Sequence, residues 1–414
     1  MKRNNFLVVM ILIIWFVISF VTNILGPLMP IIIQTYKLSL TMAAFLPFSF
    51  FLAYGIMSIP AGILIEKMGE KKAMLLAFSL NLAGSLAFAI HPLYSTALSS
   101  LFVIGLGMAM LQVIINPLMR TAGGEENFAF YSVMAQLTFG LASFISPFVF
   151  TSLLHQNTAF LTFISDNLVQ NDLNWTILYW LFTLIFIIIL LVIAPLKIPI
   201  VKRNDDEKTG TFQVYIDLLK KREIWLFFLG IIAYVGTEQS LANWMSEFLR
   251  SYHRVDPATG GASAVAWFWG AMTFGCLLGL AVLKLWDSKI VLKTASIFSM
   301  IVLIAALYGN TKLAVAAFIT LGFTISVMFS IVFSLALNST HKHHGSFSGI
   351  LCSGIFGGAL VPLIIGTLGD CIGLRYAMSF LFVTLGYILF LAYRAKPIIT
   401  NKTTLLKNIF KSGI

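Results

Sequence analysis

Runs of about 20 or more apolar residues recur along the chain, separated by short polar or Gly/Pro breaks, and that is the length a helix needs to cross a bilayer. Twelve such runs lie at residues 6–33, 41–65, 73–91, 97–119, 128–154, 175–196, 224–249, 262–284, 289–308, 312–337, 345–368 and 374–393. Each predicts a membrane-spanning helix, so the expected fold class is an all-α membrane protein. The first run extends well past the roughly 7–15-residue core of a cleavable signal and lacks a small-residue cleavage pattern, so it is expected to remain as span 1.

Composition supports this reading. Of 414 residues, 59% are apolar and 10% charged, whereas soluble domains average roughly 45–50% and 25%. The formal net charge of +11 could suggest a nucleic-acid partner, but the basic residues sit in the breaks between spans. With both termini cytoplasmic, 22 of the 27 Lys and Arg fall inside, and Lys37, Arg250, Arg254, Lys312 and Arg375 fall outside. That asymmetry follows the positive-inside rule and removes nucleic acid from the partners. Cys276, Cys352 and Cys371 have no CxxC spacing, so they predict neither a disulfide framework nor a thiolate metal site. With no Walker loop, GxSxG elbow or HExxH pair, no catalytic residue, metal site or enzymatic activity is expected. His341, Lys342, His343 and His344 read as a solvated loop.

The longest cytoplasmic stretch, residues 197–223, divides the spans six and six, giving bundles at 1–196 and 224–396 and a cytoplasmic tail at 397–414. The second part of the linker, FQVYIDLLKKRE, has the basic amphipathic pattern of a helix lying on a lipid surface; an ordered linker is the simpler reading. Residues 155–172 are expected to form an external loop. Offsetting the chain by 217 residues aligns Gly62, Lys67 and Lys72 with Gly279, Lys284 and Lys289, Gly105 with Gly322, and Gly140 with Gly357. Two similar six-helix halves suit a carrier with its site between them.

Between spans 2 and 3 stands GILIEKMGEKK. This string resembles the loop motif of the major facilitator superfamily. The resemblance implies two pseudo-symmetric six-helix bundles, with a gating role for Gly62, Glu66, Gly69, Lys71 and Lys72. Gly62 would allow close helix approach, Glu66 would pair with a base or helix N-terminus of the other half, and the two lysines would hold the loop at the cytoplasmic face. Within that superfamily, YVGTEQSLANW, WFWGAMTFGCLLG and GSFSGILCSGIFGGALVP are similar to the fucose and glucose/galactose symporter branch. The resemblance implies alternating-access transport of a small neutral polar solute, a monosaccharide, by a monomer in the bacterial inner membrane, with H+ or Na+ as a coupling ion and no other cofactor.

Polar side chains inside spans are costly and usually face a cavity or a partner helix. Glu238 is the one acid deep inside a span, so it is either a substrate-hydroxyl acceptor and protonatable coupling group or a buried acid that steadies span 7. Gln112 and Asn116 lie one turn apart and share a face of span 4. Gln136 matches a sugar-site glutamine of the family. These amides suit sugar hydroxyls, with interhelical bonding as the alternative. Asn23, Asn243 and Trp269 complete the candidate substrate set, Trp269 as a ring for stacking. The family's two coupling acids match Gly26 and Gln112 here, and neither is an acid. That leaves an uncoupled facilitator, a carrier of another small metabolite and a transport-inactive sensor as the alternatives.

Overall fold

The computed structural model describes residues 5–123, 128–154, 169, 173–196, 198, 212–340 and 344–397; for residues 116, 117, 120, 123, 128–130, 132, 133, 212, 344 and 345 it describes the backbone alone. The external loop expected at 155–172, apart from residue 169, the histidine run at 341–343 and the tail from 398 onward lie outside the described residues. Among those described, all regular structure is helical, and twelve helices are long and apolar enough to span a bilayer. They are Asn5–Tyr36, Leu40–Met68, Glu70–Ile90, Tyr94–Ile115, Met134–Leu154, Asn174–Ile193, Arg222–His253, Pro257–Leu285, Ser288–Tyr308, Thr311–Leu337, Ser346–Ile372 and Leu374–Arg394, here spans 1 to 12.

Span 7 is longer than its apolar run because charge is neutralised within it. Glu247 takes hydrogen bonds from Arg250 at 2.6 and 2.8 Å and from Ser251 at 2.8 Å. The linker contributes a helix, Phe212–Leu219, whose Tyr215 and Leu218 are buried in the second half's core while Asp217 and Lys220 pair at 3.0 Å on the outside.

Three spans are interrupted near their middles. Span 1 breaks between Thr22 and Leu25, because Pro27 has no N–H to give the Asn23 carbonyl and its ring crowds that oxygen. Span 10 breaks at Ser326 and Val327, and the thiol of Cys276 donates to the Ser326 carbonyl at 3.3 Å. Span 11 passes through a short tight helix at Gly354–Phe356. Irregular backbone at membrane depth is tolerated where it is buried or lines a cavity, and Thr22, Ser326 and Ile355 all border the central cavity described below.

Each half has its own apolar core, and the two lock their spans alike. Lys71, at the start of span 3, donates to the Ala194 carbonyl at the end of span 6 (2.8 Å), and Lys289, at the start of span 9, donates to Ala395 at the end of span 12 (2.6 Å). A cation on the exposed carbonyls of a helix C-terminus is favourable in both charge and hydrogen bonding. Lys72 is exposed, so of the paired bases it is Lys71 that fastens the loop. Gly69 makes the turn at φ 81°, a conformation few side chains tolerate.

The halves meet most tightly at the end opposite the 62–72 loop. There Met29, Ile33, Ala43 and Ala44, from the far ends of spans 1 and 2, belong to the second half's core. Thr151 donates to the Ala258 carbonyl (2.8 Å), joining spans 5 and 8, and Phe144 meets Trp267 edge-on at 5.2 Å. At Gly26 a Cβ would collide with the carbonyl of Ala242 in span 7.

Helices in lipid associate through close packing rather than hydrophobic exclusion, so the tightest glycine contacts should control folding. A Cβ at Gly105 would strike the Phe50 carbonyl and Ala53. Gly105→Leu is expected to cost ~1–3 kcal/mol through overpacking and to lower the melting temperature and monodisperse yield of detergent-extracted protein. Leu191→Ala, at a residue 69% exposed on span 6, should change neither.

Candidate central substrate site

A cavity of about 440 Å³ lies between the halves, within the range of roughly 300–1,000 Å³ usual for small-molecule sites. Its wall reaches Met119, on the continuation of the span 4 helix, and Leu283 of span 8, both toward the 62–72 end. No part of its wall comes from the opposite ends of those spans, where the halves are packed together. The cavity therefore extends toward the loop-motif end and is closed at the other.

The first half contributes amides. Gln112 of span 4 and Gln136 of span 5 both line the cavity, Gln136 with an exposed side chain. The second half contributes a carboxylate cluster from one face of span 7, since Tyr234 and Glu238, one turn apart, fall on the same side. Glu238 hydrogen-bonds the Tyr234 hydroxyl and accepts from the Gln239 amide at 3.1 Å. Gln239 itself borders the cavity. The Glu238 carboxylate is thus already held by two donors of its own helix.

Two tryptophans belong to the same lining. Trp269 of span 8 is 1% exposed and Trp15 of span 1 is 6% exposed; both line the cavity, and neither indole N–H has an acceptor among the described residues. A buried unpaired donor at a cavity wall is uncommon enough to need an explanation. Two of them at one cavity, beside amides and a carboxylate, form a surface suited to accepting and donating hydrogen bonds with a polyhydroxyl solute.

The structure thus brings Gln112, Gln136, Glu238 and Trp269 to one cavity. It places two sequence candidates elsewhere. Asn23 donates to Ser143 at 2.8 Å and lies near Ser19, which itself bonds Ser143 and the Phe139 carbonyl at 2.6 Å; this network joins span 1 to span 5, and Asn23 is not among the cavity's lining residues. Asn243 is 3% exposed and lies one turn beyond Gln239, toward the closed end and outside the lining. Asn116 lies in the helix of span 4, but its side chain is outside the described residues. Sequence reasoning missed Trp15, Tyr234 and Gln239. Trp15 had a legible signal, because a tryptophan inside a span rather than at its end is off the usual interfacial position.

In the loop motif, Glu66 lies within electrostatic reach of Tyr215 on the linker helix, and the Tyr215 hydroxyl hydrogen-bonds Ser346 at the start of span 11.

Comparison with known proteins agrees with this architecture. The chain is 30% identical over 94% of its length, and 94% of the relative's, to the glucose/galactose transporter of Brucella abortus (strain 9-941). It superposes on the transporter FucP in its outward conformation with a TM-score of 0.67 at 20% identity, covering 94% of this chain and 98% of that one. With an inward-facing bacterial homologue of the human lysosomal transporter Spinster the TM-score is 0.77 at 13% identity, covering 94% and 97%. The family model of the Major Facilitator Superfamily matches residues 11–362, and with twelve membrane spans around a central cavity the chain is a multi-pass membrane transporter that belongs to that superfamily.

Proposed function

We propose that the protein carries a monosaccharide across the bacterial inner membrane by alternating access, with both termini in the cytoplasm and the structure representing its inward-facing state. The observation that carries this reading is the cavity itself. One wall offers two neutral amides, the other a carboxylate beside a phenol and an amide, and two indoles without an acceptor among the described residues belong to the same lining. That donor and acceptor set matches sugar hydroxyls, with the rings available for the apolar face of a pyranose. The name of the Brucella relative, a glucose/galactose transporter, supports the same substrate class.

Concentrative transport would draw on H+ or Na+, and Glu238 is the carboxylate placed in the cavity to respond to either ion. An uncoupled facilitator is the second reading, favoured by the chemistry at Gly26 and Gln112. No carboxylate stands at either position, and at Gly26 the Ala242 carbonyl leaves no room for one while this end is closed.

Both readings can be tested in proteoliposomes with radiolabelled glucose and galactose. Ala replacement of Gln112 or Gln136 removes a hydrogen bond with a net value of ~0.5–1.5 kcal/mol and should weaken half-saturation roughly two- to tenfold. Unchanged half-saturation in both variants would make these amides structural.

Glu238→Gln should retain sugar counterflow and lose uptake driven by a proton or sodium gradient. A Gln variant that still accumulates sugar removes Glu238 from coupling. A parent protein that exchanges sugar but accumulates it under neither gradient establishes the facilitator.

A further inference from the structure

The 62–72 motif has a second copy at the opposite end of the molecule. An offset of 304 residues aligns Gly62, Leu64, Glu66, Gly69 and Lys71 with Gly366, Leu368, Asp370, Gly373 and Arg375, in the turn between spans 11 and 12. The backbone repeats as well: Gly69 turns at φ 81° and ψ 159°, and Gly373 at φ 85° and ψ 147°. These are the two positive-φ glycines of the described residues.

The acid of this copy bridges the halves. Asp370 lies near the end of span 11, and its two carboxylate oxygens accept from the backbone N–H groups of Leu40 and Thr41, each at 2.8 Å. Leu40 opens span 2, so the carboxylate sits on the free N–H groups and positive dipole end of a helix in the other half. A Cβ at Gly366 would meet the Leu40 carbonyl and Ala44, so the copy's first glycine lets span 11 lie against span 2. The base of the copy is held on its own side, with Arg375 over the Tyr252 ring at 4.5 Å.

We propose that Asp370 is a positioning residue of the transport cycle, a latch that holds the end opposite the loop motif shut and must release span 2 before the cavity can open there. The latch rests on the alternating-access reading, and its place follows from the fold. Spans 2 and 11 run antiparallel across the interface between halves, so each places its C-terminal end beside the other's N-terminal end. Glu66 occupies this position at one end of the pair and Asp370 at the other. Both oxygens of Asp370 are engaged in the state with that end closed, and separating the halves there takes the acceptor away from two backbone donors at once.

The native Cys276 provides a reporter, since it lines the cavity and its access depends on which end is open. In a Cys352→Ser, Cys371→Ser background, its alkylation by a membrane-impermeant maleimide is measured from each face of oriented vesicles. The parent should label faster from the face bearing Lys71. Asp370→Ala and Asp370→Asn should slow that labelling at least threefold and speed labelling from the opposite face, while Asp370→Glu, which keeps the charge, should restore the parent ratio. If the Ala variant fails to reach the membrane, the nearly isosteric Asn variant carries the test. Parent-like face ratios in the Asn variant would overturn the latch. Equal labelling of the parent from both faces would overturn the alternating-access reading itself.

Discussion

In hydrocarbon a polar group must find its partner within the protein, and that constraint organises this molecule. Beyond hydroxyls that bond their own helix, polar side chains inside the spans take on three tasks: joining two helices of one half, bridging the halves, or facing the cavity. Ser19, Asn23 and Ser143 do the first between spans 1 and 5, and Thr237 with Thr384 does it between spans 7 and 12 at 2.6 Å. Thr151 and Ala258 do the second. The third task falls to Gln112, Gln136, Glu238 and Gln239. The interrupted backbones of spans 1, 10 and 11 obey the same constraint, since their breaks come at the cavity.

This division explains which parts of the molecule are legible in its sequence. Spans follow from apolar length, and the halves from the register of glycines and lysines, because both are one-dimensional patterns. The chemistry of Lys71 was legible too, since a base after a motif glycine has few places to go in a membrane loop. Its partner was not, because the Ala194 carbonyl is a backbone atom with no sequence signature. The site was half-legible for a similar reason. A polar residue deep in a span must face inward, but sequence does not say whether inward means a cavity or a neighbouring helix. Gln112 and Asn23 looked alike on that criterion, and the crossing of spans 1 and 5 separates them. Trp15 and Tyr234 were missed because aromatic residues are abundant in lipid-facing positions, which hides the few that turn inward.

Gly26 shows how the closed end and the choice of chemistry constrain one another. Backbone contact between spans 1 and 7 is available only without a side chain at that position, so these two spans close on each other by shape. Among the described lining residues the one carboxylate is Glu238 of the second half, while the first half presents the amides of Gln112 and Gln136 with Thr22, Tyr54 and Trp15.

Transport by the proposed route requires the solute to occupy the cavity between these walls. Protection of Cys276 from alkylation by individual monosaccharides in the purified protein tests this directly, because the thiol borders that cavity and the readout needs no ion gradient. Saturable protection by a transported sugar, lost when Trp269 is replaced by Ala, is the result expected. A sugar that the protein transports but that leaves Cys276 alkylation unchanged at saturating concentration would contradict the placement of the site.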